Sequence, residues 1–236
     1  MTGSLATQRL GIVGGIGPES TIAYYRKIIT RYREITSREY PPLIITSIDL
    51  QRVLQLVADN ELATLTEYLV SEVRALASAG ATLGLLAANT PHIVFDAVQQ
   101  ESPISLVSIV QATLHATKAR HLRRLGIFGT RFTMEGRFYS DVFSKAGVDL
   151  VMPQKDERAY IHDKYTMELL QGVFSSSTRD GLLRIVNVLK DRDSVEGVIL
   201  AGTELPLILT DDSASGIPLL NTTHIHVDEA VRQLWA

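Results

Sequence analysis

The chain has 236 residues, of which 45% are hydrophobic and 21% charged, a formal net charge of -3 and no cysteine. This length accommodates one large domain or two smaller ones, and the net charge without a basic stripe excludes nucleic acid and anionic membranes as expected partners. The lack of cysteine excludes disulfides, thiolate catalysis and cysteine-ligated metal sites. No apolar run approaches the roughly 20 residues of a membrane span, and residues 1–15 lack a signal-peptide pattern, so a cytoplasmic protein is expected.

In the first half of the chain, apolar runs bounded by turn residues alternate with segments of helical period. Strands are predicted at 9–15, 41–49, 81–88 and 103–108. Helices are predicted at 19–35, 62–79 and 93–100. This alternation is typical of an α/β fold with a parallel sheet.

The second half repeats the plan of the first. RLGIFGT at 124–130 matches RLGIVGG at 9–15 (125 − 10 = 115), and ILAGTE at 199–204 matches LLAANT at 85–90 (202 − 88 = 114). A third pair, SPISLVS and GIPLLNT, has nearly the same offset (218 − 103 = 115). We therefore predict two pseudo-symmetric Rossmann-like or flavodoxin-like domains, residues 1–110 and 111–222, with a closing helix at 223–236 that packs back on the first.

Polar residues follow four of these strands, in the segments GGIGPEST (14–21), AANTPH (87–92), GTRFTME (129–135) and AGTELP (201–206). Ligands of open parallel sheets bind beyond the carboxyl ends of the strands, and pockets are common between domains. An active site between the two domains is therefore expected.

The glycine-rich turn at 14–21 permits two interpretations. Its backbone N–H groups, with Ser20 or Thr21, can bind an anion, and Pro18 and Ser20 can begin and cap a helix; both interpretations can hold together. The turn completes neither a G-x-G-x-x-G motif nor a P-loop, so a nucleotide is not expected.

The other strand ends are equally open. Thr133 either caps a helix or binds a carboxylate with Thr130, and the buried pair Asn89 and Thr90 either satisfies loop backbone or holds a ligand. His92 is expected to be structural. Glu204 is expected to cap a helix.

Metal and hydrolase chemistry find no support in the motifs. The six histidines have no spacing typical of a zinc site, so no metal is expected. No G-x-S-x-G elbow occurs either, which argues against a serine hydrolase.

Taken together, these segments resemble the aspartate/glutamate racemase family, whose members work without pyridoxal phosphate. The resemblance lies in GIVGGIGPESTIAYYRKI (11–28), NTPHIVFD (89–96), GTRFTMEGRFY (129–139), MPQKDERAYIHDKY (152–165), MELLQG (167–172) and GTELPLIL (202–209). It implies two pseudo-symmetric α/β domains with the active site between them, a small carboxylate or amino-acid substrate, no cofactor and a homodimer.

The family mechanism uses two cysteines, one on each face of the substrate, to remove and return a weakly acidic α-proton. At the two implied positions this chain has Ala88 and Gly202, neither of which can carry a proton. The resemblance implies these substrate-binding residues: Ser20, Asn89, Thr90, Thr130, Thr133 and Thr203. The catalytic groups stay open, with Thr203, Glu204 and His92 as candidates.

Three functions are compatible with a racemase-like chain that lacks both thiols. The first is an isomerase of an acidic amino acid with a cysteine-free mechanism. The second is related carbanion chemistry, by a decarboxylase, lyase or cyclase, on a bulkier carboxylic acid that uses the room left by the absent thiols. The third is a non-catalytic protein that binds carboxylates.

Overall fold

The structure, a computed structural model, describes residues 8–36 and 39–235. The predictions made for residues 1–7 and for position 236 of the closing helix lie outside this range. The chain divides into two compact units, Met1–Ser108 with His226–Ala236 (unit 1) and Ile109–Ile225 (unit 2). Among the described residues, no helix combines the length and the apolar character that crossing a membrane requires.

Unit 1 contains a four-stranded parallel sheet in the order β2-β1-β3-β4. Its strands are β1 (Leu10–Gly14), β2 (Leu43–Ser47), β3 (Leu83–Leu86) and β4 (Ser105–Val107). Its helices are α1 (Pro18–Ile35), α2 (Leu50–Ala58), α3 (Leu62–Ser78) and α4 (Phe95–Glu101), preceded by a 3₁₀ helix at Thr90–Val94.

The core of unit 1 follows from the patterns of β1 and α1. All five residues of β1 are buried, as expected of a central strand covered on both faces. Helix α1 buries Tyr24, Ile28 and Tyr32, which recur every four residues and so form one stripe along the helix. The closing helix α11 (Thr222–Trp235) packs Val227 and Val231 into the same cluster.

Helix α2 is absent from the sequence-based prediction. It begins directly after β2, where the Asp49 carboxylate accepts a hydrogen bond of 2.8 Å from the Gln51 N–H and caps the helix. Its buried side chains, Val53, Leu56 and Val57, have the spacing of a short amphipathic helix.

Unit 2 contains a five-stranded sheet in the order β6-β5-β7-β9-β8, parallel except for the β8–β9 pair. Its strands are β5 (Arg124–Gly129), β6 (Asp149–Val151), β7 (Gly197–Ala201), β8 (Ser213–Ala214) and β9 (Ile217–Asn221). Its helices are α5 (Ile109–Ala119), α6 (Arg131–Glu135), α7 (Arg137–Lys145), α8 (Lys155–Met167), α9 (Ser176–Asp193) and α10 (Leu205–Ile208), with a 3₁₀ turn at Leu169–Gln171.

The predicted α/β class with two parallel-sheet domains is confirmed. The first four strands of unit 1 and β6-β5-β7-β9 of unit 2 follow the same spatial plan, in which the first strand of the unit lies between the second and the third. This order brings the polar residues after β1 and β3 to neighbouring strand ends in unit 1, and those after β5 and β7 in unit 2.

Candidate functional site

The carboxyl end of β3 leads into a group of buried polar side chains that we call the β3 cluster. Its members are Ser20, Asn89, Thr90 and His92, each less than 9% exposed. The Ser20 hydroxyl donates a hydrogen bond of 2.8 Å to the Ala87 carbonyl, and His92 Nδ1 donates one of 2.9 Å to the Ala88 carbonyl. These two bonds place a hydroxyl and an imidazole around Ala88.

The turn between β1 and α1 is held by its own side chains. Gly15 and Gly17 have φ angles of 82° and 92°, which favour glycine. The Thr21 hydroxyl accepts from the Gly15 N–H at 2.8 Å and donates to the Gly17 carbonyl at 3.3 Å. Pro18 is the first residue of α1, as predicted.

Ser20 does not cap this helix, so that expectation is wrong. It lies within the first turn of α1, after Gly17 at the cap position, and its hydroxyl ties the helix to the end of β3. The cap residue is Gly17, and α1 has no side-chain cap at this end.

The His92 ring contacts two other aromatic side chains in unit 1. It stacks on Phe95 at 4.9 Å between centroids and meets the edge of His226 at 5.9 Å. His226 Nε2 donates to the Val107 carbonyl and its Nδ1 accepts from the Tyr24 hydroxyl, both at 2.8 Å.

Burial keeps both of these imidazoles neutral at ordinary pH. It lowers the pKa of His92 to about 3, with a further contribution from His226, and the pKa of His226 to about 4. This geometry agrees with a structural role for His92, while its place two residues after Thr90 keeps it near the strand end.

The end of β7 carries the corresponding group in unit 2, which we call the β7 cluster: Gly202, Thr203, Glu204 and, from α8, Tyr165. The Thr203 hydroxyl donates a hydrogen bond of 2.8 Å to Glu204 Oε2, and the Tyr165 hydroxyl donates to the same oxygen. Glu204 is only 2% exposed. A buried carboxylate needs such donors, because desolvation otherwise makes its charge costly.

The Glu204 side chain does not have the predicted helix-capping role. Within the described chain the Glu204 side chain does not cap α10, so that prediction is wrong: the carboxylate instead turns toward Tyr165 and Thr203. Burial, and next the negative charge of Glu204, raise the pKa of Tyr165 well above its ordinary value, so the phenol stays protonated and continues to donate.

The expected extra room beside Gly202 is also absent. A Cβ added at Gly202 would lie 2.5 Å from Cε2, 3.0 Å from Cζ and 3.1 Å from the hydroxyl oxygen of Tyr165. The side of the β7 cluster that was expected to open on loss of a thiol is therefore filled by an aromatic ring.

The remaining two predicted residues lie on the neighbouring strand end. Thr130 is the cap of α6 and accepts a hydrogen bond of 3.2 Å from the Thr133 N–H, while the two hydroxyls lie 3.1 Å apart. The cap is thus Thr130 rather than Thr133. Because Gly129 pairs with Ala201 in the sheet, these threonines follow β5 beside the β7 cluster.

The structure thus gathers the predicted residues of each unit at its own strand ends. In unit 1 these are Ser20, Asn89, Thr90 and His92, and in unit 2 they are Thr130, Thr133, Thr203 and Glu204. Tyr165 was missed, although it ends one of the segments that carry the family resemblance. Over residues 8–36 and 39–235, no three His, Asp or Glu side chains are grouped so that they could hold a metal ion.

Comparison with known proteins shows the family to which this chain belongs. The profile of the Asp/Glu/hydantoin racemase family matches residues 13–230. The chain belongs to this family. Within the family, the positions that the resemblance assigns to cysteines are here Ala88 and Gly202, after β3 and at the end of β7.

Solved racemase-family structures share the whole fold. A candidate Asp/Glu racemase from Yersinia pestis is 30% identical, with a TM-score of 0.88, over 97% of this chain and 100% of its own. An aspartate racemase homologue from Pyrococcus horikoshii OT3 is 33% identical, with a TM-score of 0.83, over the same shares. The broad specificity amino-acid racemase RacX of Bacillus subtilis (strain 168) is 21% identical over 60% of this chain and 63% of its own length.

Proposed function

We propose that this protein catalyses proton exchange, and thereby isomerisation, at the α-carbon of a small acidic amino acid without thiols and without pyridoxal phosphate. Membership of the racemase family supports racemase-like chemistry. The observation that carries the thiol-free proposal is the buried Glu204 carboxylate, two residues after the position where the family resemblance places a cysteine.

In this proposal Glu204 is the proton carrier of unit 2. When the α-proton leaves, its bonding electrons stay on the carbon and the proton goes to the carboxylate; the reverse transfer regenerates the carboxylate. The Thr203 and Tyr165 hydroxyls orient the carboxylate by hydrogen bonds to Oε2. Such a group is effective only where it is held within hydrogen-bond reach of the reacting atom.

The substrate carboxylate is proposed to bind through the polar side chains at the strand ends. In unit 1 these are Ser20, Asn89 and Thr90, and in unit 2 Thr130, Thr133 and Thr203. Hydroxyl, amide and backbone N–H groups at strand ends and helix starts are the usual partners of a small anion. Inversion needs a second proton carrier, and His92, which follows β3, is the candidate: its neutral imidazole accepts the α-proton of one enantiomer while the protonated Glu204 carboxyl group donates a proton to form the other.

A second candidate is carbanion chemistry that protonates one face only, such as decarboxylation. It is favoured by the state of His92, whose imidazole is buried, neutral and bonded through Nδ1 to the Ala88 carbonyl. Such an imidazole is a poor proton donor, whereas one carboxyl group in unit 2 suffices for a single protonation.

The two candidates are separated by proton NMR in D₂O, with both enantiomers of aspartate and glutamate and a set of substituted malonates. Isomerisation predicts loss of the α-proton signal and appearance of the other enantiomer, with no effect of added pyridoxal phosphate. Decarboxylation predicts a product one carbon shorter from a malonate and no exchange with the amino acids. Saturable binding without turnover of any compound would contradict both and indicate a carboxylate-binding protein.

The quaternary structure and cellular location are proposed from the same resemblance and composition. We infer a homodimer that acts in the cytoplasm. Sedimentation equilibrium of the purified chain tests the first part of this inference: a single species at twice the monomer mass of 26.0 kDa is the expected result.

A further inference from the structure

Tyr165 is a large side chain on α8 that lies against the end of β7. On α8 it follows Ile161 by one turn, and both side chains are buried in the core of unit 2. This core contact brings the outer part of the Tyr165 ring against Gly202 at the end of β7. The ring therefore reaches the strand end from the face of the sheet that α8 and α9 cover.

We propose that Tyr165 has taken the place of the second family thiol: its ring fills the volume that a side chain at position 202 needs, and its hydroxyl positions the Glu204 carboxylate. The steric half of this proposal is independent of any activity. The positioning half rests on the proposed function for its consequence, because it is Glu204 that we propose as the proton carrier.

Steric demand, rather than backbone conformation, explains the glycine at this position. In the described part of the chain the glycines with positive φ are Gly15, Gly17, Gly80, Gly147, Gly172 and Gly216. Gly202 is not one of them, so an L side chain meets no backbone strain there. What such a side chain meets is the Tyr165 ring, at distances that real Cβ atoms do not show for its nearest carbon.

The contacts of a Cβ added at Gly202 show which atoms of Tyr165 exclude a side chain at that position. The three atoms nearest to the added Cβ are Cε2, Cζ and the hydroxyl oxygen, all of which lie beyond the Cδ atoms of the ring. Leucine ends at its Cδ atoms and lacks all three. Phenylalanine lacks only the hydroxyl, so Tyr165→Leu and Tyr165→Phe form a matched pair.

The steric half is tested by a mutant cycle, read by thermal and urea unfolding of the full chain. Gly202→Ala is expected to lower Tm by roughly 3–10 °C in the wild-type and Tyr165→Phe backgrounds, as overpacking does. In the Tyr165→Leu background the same change is expected to lower Tm by less than about 2 °C. An equal loss in the Tyr165→Leu background would overturn the steric claim. If Gly202→Ala alone does not fold, the double variant with Tyr165→Leu and Gly202→Ala is expected to fold. Failure of this double variant to fold, when Tyr165→Leu alone folds, would contradict the steric claim.

The positioning half is tested by ¹³C NMR of protein labelled at the glutamate carboxyl carbons. The Glu204 signal is assigned by its absence from Glu204→Gln. In Tyr165→Phe, which keeps the ring, this signal is expected to titrate at higher pH than in the wild type, because the carboxylate has lost a hydrogen-bond donor. A purely space-filling tyrosine would leave the titration unchanged, and that result would overturn this half.

The outcomes also separate this proposal from the proposed function. A wild-type protein that exchanges no α-proton and forms no product contradicts the proposed function, whatever the mutant cycle shows. A protein that exchanges α-protons, but whose residues 165 and 202 contribute additively to Tm, contradicts the role of Tyr165 alone.

Discussion

Gly15→Ala is expected to lower the free energy of unfolding by about 2–4 kcal/mol, from left-handed backbone strain and overpacking together. Gly15 has a φ of 82°, and a Cβ there would lie 2.5 Å from the Ile48 nitrogen and closer still to the Ile48 carbonyl oxygen. Both obstacles are backbone atoms, which cannot rotate away as a side chain can. Urea unfolding at neutral pH measures the change.

Gly147→Ala is the matched control for this prediction. Gly147 has a similar φ of 73°, but an added Cβ there would meet no atom within 4 Å. Gly147→Ala is expected to lower the free energy of unfolding by only about 1 kcal/mol, from the strain of the left-handed conformation. Equal losses at positions 15 and 147 would show that the close approach of Ile48 contributes nothing.

The free energy of unfolding is expected to fall steeply as the pH drops below 6.5, because of His92 and His226. Burial lowers their pKa values to about 3 and about 4. In the unfolded chain both imidazoles take up protons near pH 6.5, while in the folded chain they do not, so acid favours the unfolded state. Their contribution is complete above pH 6.5 and is lost as the pH falls toward the folded pKa values. Together the two histidines are expected to lower the free energy of unfolding by about 2.7 kcal/mol for each pH unit in this range.

Urea unfolding at half-unit steps from pH 7 to pH 4.5 tests this dependence. His92→Gln and His226→Gln each remove one of the two groups, so each is expected to reduce the slope by about 1.4 kcal/mol per pH unit. This subtraction separates the imidazoles from carboxyl groups that titrate in the same range. A wild-type slope in both variants would show that the buried histidines do not govern acid stability.

Much of the fold is local enough to be predicted from the sequence. β1, β3, β5 and β7 are short, mostly apolar runs followed within a few residues by glycine or polar residues, and burial on both faces of a parallel sheet requires such apolar runs. The repeat of RLGI and of the polar strand ends also indicated two units of one plan. Helix α2 had a readable signal, since Asp49 is a good cap and the spacing of Val53, Leu56 and Val57 is helical.

The contacts within the candidate site were not predictable in this way. Ser20 bonds to Ala87, 67 residues away, and the cap interpretation of Ser20 was plausible from local sequence alone. Tyr165 reaches Glu204 across 39 residues, through the packing of α8 against the sheet. Such pairs depend on which helix face is buried and how far a side chain extends, and a single sequence specifies neither for a helix with polar residues on most sides.

The glycine at position 202 led to one wrong inference about the space around it. Replacement of a cysteine by glycine removes atoms, so the sequence indicated a larger space at position 202. The structure shows that a residue from another element occupies that space. A gain or loss of volume at a strand end is therefore a property of the pair, here Gly202 and Tyr165, rather than of one position.

The central claim is that Glu204 carries the proton that a thiol carries elsewhere in the racemase family. Its most direct test is the rate of α-proton exchange in D₂O, with the best amino acid of the substrate set, in wild type and Glu204→Gln. Glutamine keeps the size and a hydrogen-bonding oxygen but cannot take up the proton. A loss of exchange of at least about 100-fold is expected, as for removal of a general base, with substrate affinity changed by less than about threefold. Exchange by Glu204→Gln at the wild-type rate would contradict the central claim.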